Sequence, residues 1–139
     1  MNTNKKGDIG LANVIADVTN KGYFLFLPFS DTTSVDLIIA DEGMKLNRIQ
    51  IKYVSVDKKG GLRIPTCTVV NGKKVPVDLT QIDVWAIYCP DTKKIYYVPT
   101  KELVGKTSVM ILRVNFPKNG QRTGIHYAND YLNIENAIS

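Results

Sequence analysis

Histidine is nearly absent from this chain of 139 residues: His126 is the only one. A multi-histidine zinc centre is excluded, and a serine or cysteine nucleophile would have to draw on His126 as its base. Cysteine is scarce as well. Cys67 and Cys89 lie far apart, lack metal-ligand spacing and fall in strand-like runs, which favours two buried reduced thiols over a disulfide or a ligand pair. No apolar run approaches the roughly 20 residues that cross a bilayer. The opening Met1-Asn2-Thr3-Asn4-Lys5-Lys6 has no apolar leader core. A cytoplasmic protein with no membrane partner is the expectation. Metal chemistry, if present, must rest on oxygen ligands, which points to magnesium-like ions.

What is present suits one domain spanning residues 1–139, with an ordinary apolar fraction of 44%. The net charge of +5 and pI near 9.2 lean towards a polyanionic partner.

Gly7-Asp8-Ile9-Gly10 opens a helix with Asp8 as the expected N-cap and Gly22 as its stop. Ile9, Leu11, Ala12, Val14, Ile15, Ala16 and Val18 form its broad apolar side. Tyr23 to Leu27 reads as a strand covered on both faces. Two alternating runs follow, Ser34 to Ala40 and Lys45 to Tyr53, joined by the turn Asp41-Glu42-Gly43. Residues two apart in a strand share a face. Gln50 and Lys52 therefore stand together, and Asp36 on the neighbouring strand can join them. A carboxylate, the Gln50 amide oxygen and the Ile51 carbonyl are an oxygen set that magnesium accepts, and Lys52 can orient water or stabilise phosphorane charge. The blander reading makes Asp36 a loop cap and leaves Gln50 and Lys52 on an exposed sheet face.

Downstream, Asp57 to Gly61 is a basic turn containing Lys58 and Lys59. Leu62 to Val70 and Lys74 to Val77 flank Asn71-Gly72, a strong hairpin signal. Arg63, Lys73 and Lys74 make this ribbon basic. It suits a duplex major groove, or equally a solvated edge hairpin protected by its lysines. Val84 to Cys89 and Ile95 to Pro99 read as a buried strand and its hairpin partner, and Ser108 to Val114 as a last strand. Thr100 caps a short helix in this reading, and a further short helix falls within Ile125 to Ile138. Lys118 and Arg122 lie in a polar basic loop.

The order of these features resembles the PD-(D/E)XK nuclease core: a helix opening Gly-Asp-Ile-Gly, then Lys21-Gly22-Tyr23, Val35-Asp36-Leu37 and Gln50-Ile51-Lys52. The likeness covers roughly residues 5 to 56 and extends weakly through Ile82 to Pro90 and Tyr96 to Pro99. It is nearest to the small homing endonucleases of cyanobacterial group I introns, with archaeal Holliday-junction resolvases more distant. The resemblance implies an α+β (mixed α/β) fold with a central mixed sheet flanked by helices, plus basic β-hairpins. It implies Mg2+ (or Mn2+) as cofactor, double-stranded DNA as substrate, and a homodimer or a dimer of dimers. It implies Asp36, Gln50 and Lys52 as catalytic residues, with Asp36, Gln50 and Ile51 at the metal. Lys58, Lys59, Arg63, Lys73, Lys74, Lys118 and Arg122 become DNA contacts.

Two positions depart from the pattern. Gln50 replaces the usual third-strand acid. Leu11 stands where relatives often carry a helix Glu, so another carboxylate, Asp8 being nearest in sequence, must serve, or activity is weakened. Three readings result: a magnesium-dependent site-specific DNA endonuclease, a non-catalytic DNA-binding protein on a nuclease scaffold, and a mixed-sheet protein–protein adaptor.

Overall fold

The computed structural model describes residues 1–30, 32–65, 67–76, 78–104, 109–115 and 125–138. Its one α-helix among the described residues, α1, spans Thr3–Asn20. The cap is Asn2, whose side chain accepts the Lys5 N–H at 2.8 Å. Asp8, expected to cap, sits inside the helix; Asn2 satisfies the orphan amides one and a half turns earlier. Gly22 follows the helix with φ +93°, the left-handed geometry expected of its stop.

Strands β1 (Phe24–Phe26), β2 (Leu37–Ala40) and β3 (Leu46–Tyr53) follow, then β4 (Gly61–Pro65), β5 (Cys67–Val70) and β6 (Lys73–Pro76). β7 (Val84–Cys89), β8 (Lys94–Pro99), β9 (Val109–Arg113) and β10 (His126–Tyr127) complete the set. The central mixed sheet runs β1-β2-β3-β7-β8, with β3 and β7 parallel and the other pairs antiparallel. A second sheet has the order β10-β9-β4, and β5-β6 is a separate ribbon.

The α+β class expected from the sequence is the architecture observed. On one face of the central sheet, Val14 and Val18 of α1 pack on Leu37, Ile39, Ile49, Val84 and Ala86. The opposite face is covered by a sheet rather than by helices. There Trp85, Ile87 and Val98 meet Leu62 and Ile64 of β4 and Met110 and Leu112 of β9. Strand alternation drives this: each of these residues lies two positions from the next, so β4 and β9 each present one apolar face. Ala12 and Ala16 of α1 are exposed, so the helix buries a narrower stripe than expected.

Four further expectations change. β1 is an edge strand, and Phe24 and Phe26 are 52% and 45% exposed, because the second sheet stops short of this end. Arg63 lies on β4 of the second sheet, not on the ribbon. Thr100 starts only a 3-10 turn, Thr100–Glu102, with no side-chain cap. The C-terminal helix is replaced by β10 and the 3-10 turns Ala128–Tyr131 and Ile134–Asn136. Asn71 (φ 51°) and Gly72 (φ 77°) make the ribbon turn the sequence signalled. Cys89 is a free, buried thiol, as expected.

Candidate active site

The hairpin of β2 and β3 positions Asp36. Its ladder extends one residue beyond β2, since the Asp36 N–H donates to the Ile49 carbonyl at 2.9 Å. The Asp36 carboxylate crosses to the next strand, where Oδ2 accepts the Ile51 N–H at 2.8 Å. Ile51 thus offers its amide to Asp36.

Gln50 and Lys52 rise from the face of β3 that looks away from α1. Opposite them in the parallel ladder stand Trp85 and Ile87 of β7. Gln50 Oε1 is buried without a hydrogen-bond partner. Lys52 Nζ lies 6.0 Å from the centroid of the Trp85 ring. Among the described residues the ion pairs within 4.0 Å are Lys21–Asp17 and Arg48–Asp83, so Asp36 and Lys52 are neighbours in a shared field without direct contact.

Desolvation dominates both charges. Burial raises the Asp36 pKa, while the Ile51 amide and the Lys52 charge partly oppose that rise. Burial lowers the Lys52 pKa, with Asp36 partly opposing. Each group is pushed towards its neutral form, the condition in which a nearby cation or a transferable proton changes most.

Asp36 is also reached from the helix side. A groove of about 770 Å³ runs between the first turns of α1 and the segment joining β1 to β2, and Asp8, Leu11, Phe29, Asp36 and Ile51 are among its walls. Gln50 and Lys52 do not line it. Asp36, at the open edge of the sheet, is shared by groove and face. Gly10 sets the helix against this edge: a Cβ there would lie 3.2 Å from Ile51 Cγ2. Leu11, one residue on, is half-buried and faces the groove with Asp8, which is exposed.

The donors are of the type a hard cation takes: one carboxylate, which reaches the groove, and one orphaned amide oxygen, which is enclosed. They are few. Among the described residues no three His, Cys, Asp or Glu side chains gather into a metal cluster.

Lys58, Lys59, Lys73 and Lys74 are exposed on the turn before β4 and on β6, and Arg63 is exposed on β4. Lys118 and Arg122 lie outside the described residues. Trp85 escaped the sequence reading as a neighbour of Gln50, because it depends on parallel pairing between residues 35 positions apart. The long connection between β3 and β7 was the available signal, since parallel strands require such crossovers. Trp85, Tyr96 and Tyr97 are buried in the core.

A helix beside a mixed sheet, with an acid on its second strand and Gln-x-Lys on its third, is the layout of a nuclease core. A family model described as PD-(D/E)XK endonuclease matches residues 1–134, and the chain belongs to that family of DNA endonucleases. Its members generally use divalent metal ions. Among solved structures, the chain is similar to that of a bacterial homing endonuclease, I-Ssp6803I. The TM-score is 0.78 at 19% identity, over 94% of this chain and 88% of that one. The comparison with curated proteins gives no match. No helix among the described residues is long and apolar enough to cross a membrane.

Proposed function

We propose that this chain is a site-specific double-stranded DNA endonuclease of the homing type, a single nuclease domain over residues 1–139 that hydrolyses phosphodiesters with Mg2+ (or Mn2+). The observation that supports the reading is the Asp36 carboxylate held on the Ile51 amide of β3, the residue between Gln50 and Lys52, with Gln50 Oε1 buried and unpartnered.

Asp36 and Gln50 would hold the metal through side-chain oxygens, with the Ile51 carbonyl beside them. A bound magnesium ion polarises a phosphoryl oxygen and acidifies water. Asp36 is fixed by the Ile51 amide, so its free oxygen is aimed without rearrangement. Lys52, its ammonium disfavoured by burial, orients the attacking water and accepts its proton or, when charged, stabilises the phosphorane. The water oxygen forms the new P–O bond as the ester oxygen leaves and takes up a proton. Leu11 supplies no ligand. Asp8, across the same groove, is the carboxylate available in its place.

Lys58, Lys59, Arg63, Lys73 and Lys74 are proposed as contacts to the DNA backbone, together with Lys118 and Arg122. A single module covers only about 600–1,000 Å². One centre per chain cuts one strand, so a homodimer, or a dimer of dimers, is proposed for cutting both. Exposed Phe24, Phe26 and Leu46, aligned across β1, β2 and β3, offer apolar surface for self-association.

Leu11 favours a second reading, a DNA-binding protein on a nuclease scaffold that no longer cuts. Calorimetric titration with magnesium or calcium separates the two. The nuclease reading expects binding that weakens in Asp36→Asn. Salt-sensitive duplex binding with no metal uptake in either protein would favour the second reading.

A further inference from the structure

Phe29, in the segment joining β1 to β2, is the most exposed large apolar residue among those described, at 106%. Leu27, two residues earlier, is 59% exposed. A ring held clear of the protein adds nothing to the core, and water disfavours it. Single apolar side chains are ordinary on a surface, but the place of this one is not. Phe29 and Leu27 stand in the wall of the groove that Asp36 and Ile51 also line. That groove, about 770 Å³, is far larger than an ion needs and falls within the roughly 300–1,000 Å³ of pockets that take organic ligands, a size class that includes a nucleotide. Pro28, between the two apolar residues, restricts the backbone through its own ring. Beyond Phe29, Ser30 Oγ lies 2.7 Å from Thr32 Oγ1 and accepts the Thr32 N–H at 3.3 Å. Local bonds hold the rim while the ring stays free.

We propose that Phe29 is a wedge: its ring enters the base stack of the DNA duplex beside the phosphate presented to Asp36, with Leu27 extending the apolar contact. The proposal rests on Asp36 being the reaction centre. Three observations choose duplex DNA as the occupant of this rim. The chain belongs to a family of DNA endonucleases, and its net charge of +5 favours a polyanion. A protein partner seated on the rim would close the groove to the strand that Asp36 must reach. Asp8 and Asp36 stand in the same walls, so the uncharged face of a base suits the rim better than a second phosphate does. Apolar side chains driven between base steps unstack and kink the duplex, and the cost is least at pyrimidine–purine steps. Phe29 therefore selects an easily unstacked step next to the cut without hydrogen-bonding to any base.

The test uses the full chain and a duplex selected by it from a random pool, with 2-aminopurine substituted at successive positions and calcium in place of magnesium. Unstacking of this base brightens its fluorescence. Native protein is expected to brighten one position or two adjacent ones several-fold. Phe29→Leu keeps an apolar wedge and brightens the same positions. Phe29→Ala brightens none and binds the duplex about 10-fold more weakly. No brightening with native protein, or brightening unchanged in Phe29→Ala, would overturn the proposal. So would a lighter species in sedimentation of Phe29→Ala without DNA, which assigns the ring to a second copy of the chain. Nicking in magnesium is read beside these. Brightening that depends on Phe29, with no nicking by native protein, counts against the nuclease reading and leaves the wedge standing. Nicking that Asp36→Asn abolishes, with no brightening, does the reverse.

Discussion

The Asp36 carboxylate is tied to the backbone of the strand beside it: Oδ2 accepts the Ile51 N–H at 2.8 Å. Even with that bond, burial holds its pKa above the ordinary value. The folded state therefore binds the Asp36 proton more tightly than the unfolded chain. Its carboxylate destabilises the fold increasingly as pH rises through the elevated folded pKa, and contributes no penalty below the unfolded value of 3.8. Asp36→Asn keeps an acceptor for the Ile51 amide and removes the charge. Thermal denaturation should show a melting point higher by about 1–3 °C at neutral pH, with no gain below pH 3.8. The same change should lower nicking by about 100-fold or more.

Arg48 and Asp83 fasten β3 to the start of β7. The guanidinium donates to Asp83 at 3.0 and 2.9 Å, and the Arg48 amide does so at 2.7 Å. The Arg48 side chain, more than the surrounding amide, lowers the Asp83 pKa. That depression stabilises the fold above the unfolded carboxylate pKa, and the contribution is lost as pH falls through the folded value. The two side chains are 40% and 35% exposed, so solvent screens the pair and the loss in Asp83→Ala should be modest, about 1 kcal/mol in urea denaturation at neutral pH. At acid pH the mutant and native proteins should converge.

Lys73 and Lys74 lie exposed on β6. If both neutralise phosphates, Lys73→Ala combined with Lys74→Ala should reduce the slope of log affinity against log salt by about 2 for a duplex. Fluorescence anisotropy across a salt series measures this. An unchanged slope would remove the ribbon from the DNA interface.

Gly10 allows α1 to approach Ile51. Its replacement by Ala gains helix propensity but meets Ile51 Cγ2 at 3.2 Å, so the net effect on stability should be small. Gly10→Val adds branches against β3 and should cost about 1–3 kcal/mol in chemical denaturation.

The β2–β3 hairpin, and with it the grouping of Asp36, Gln50 and Lys52, was legible because period-2 alternation fixes which side chains share a face. The Asn71-Gly72 turn was legible because positive φ at both positions restricts the residue types. Other features depended on distant partners. Tyr23 to Leu27 looks fully buried in composition, yet β1 sits at an edge with one face uncovered, which only sheet order decides. Asp8 is a sound capping residue, but Asn2 claimed the helix start first. Leu62 to Val70 reads as one run, which puts Arg63 on the ribbon, whereas the first half of that run pairs with β9. The pairing of Gln50 with Trp85 joins residues 35 positions apart, and no local pattern carries it.

Leu11 and Asp36 share the walls of one groove, so a carboxylate at position 11 would face Asp36 across it. The most direct test compares magnesium-dependent nicking of supercoiled plasmid carrying a site selected by this protein from random duplexes. Native protein, Leu11→Glu, and Leu11→Glu combined with Asp36→Asn are assayed together. The account predicts that Leu11→Glu nicks at least as fast as the native chain and that adding Asp36→Asn abolishes nicking. Equal nicking by the single and double variants, or no nicking by any of them on bound duplex, would contradict it.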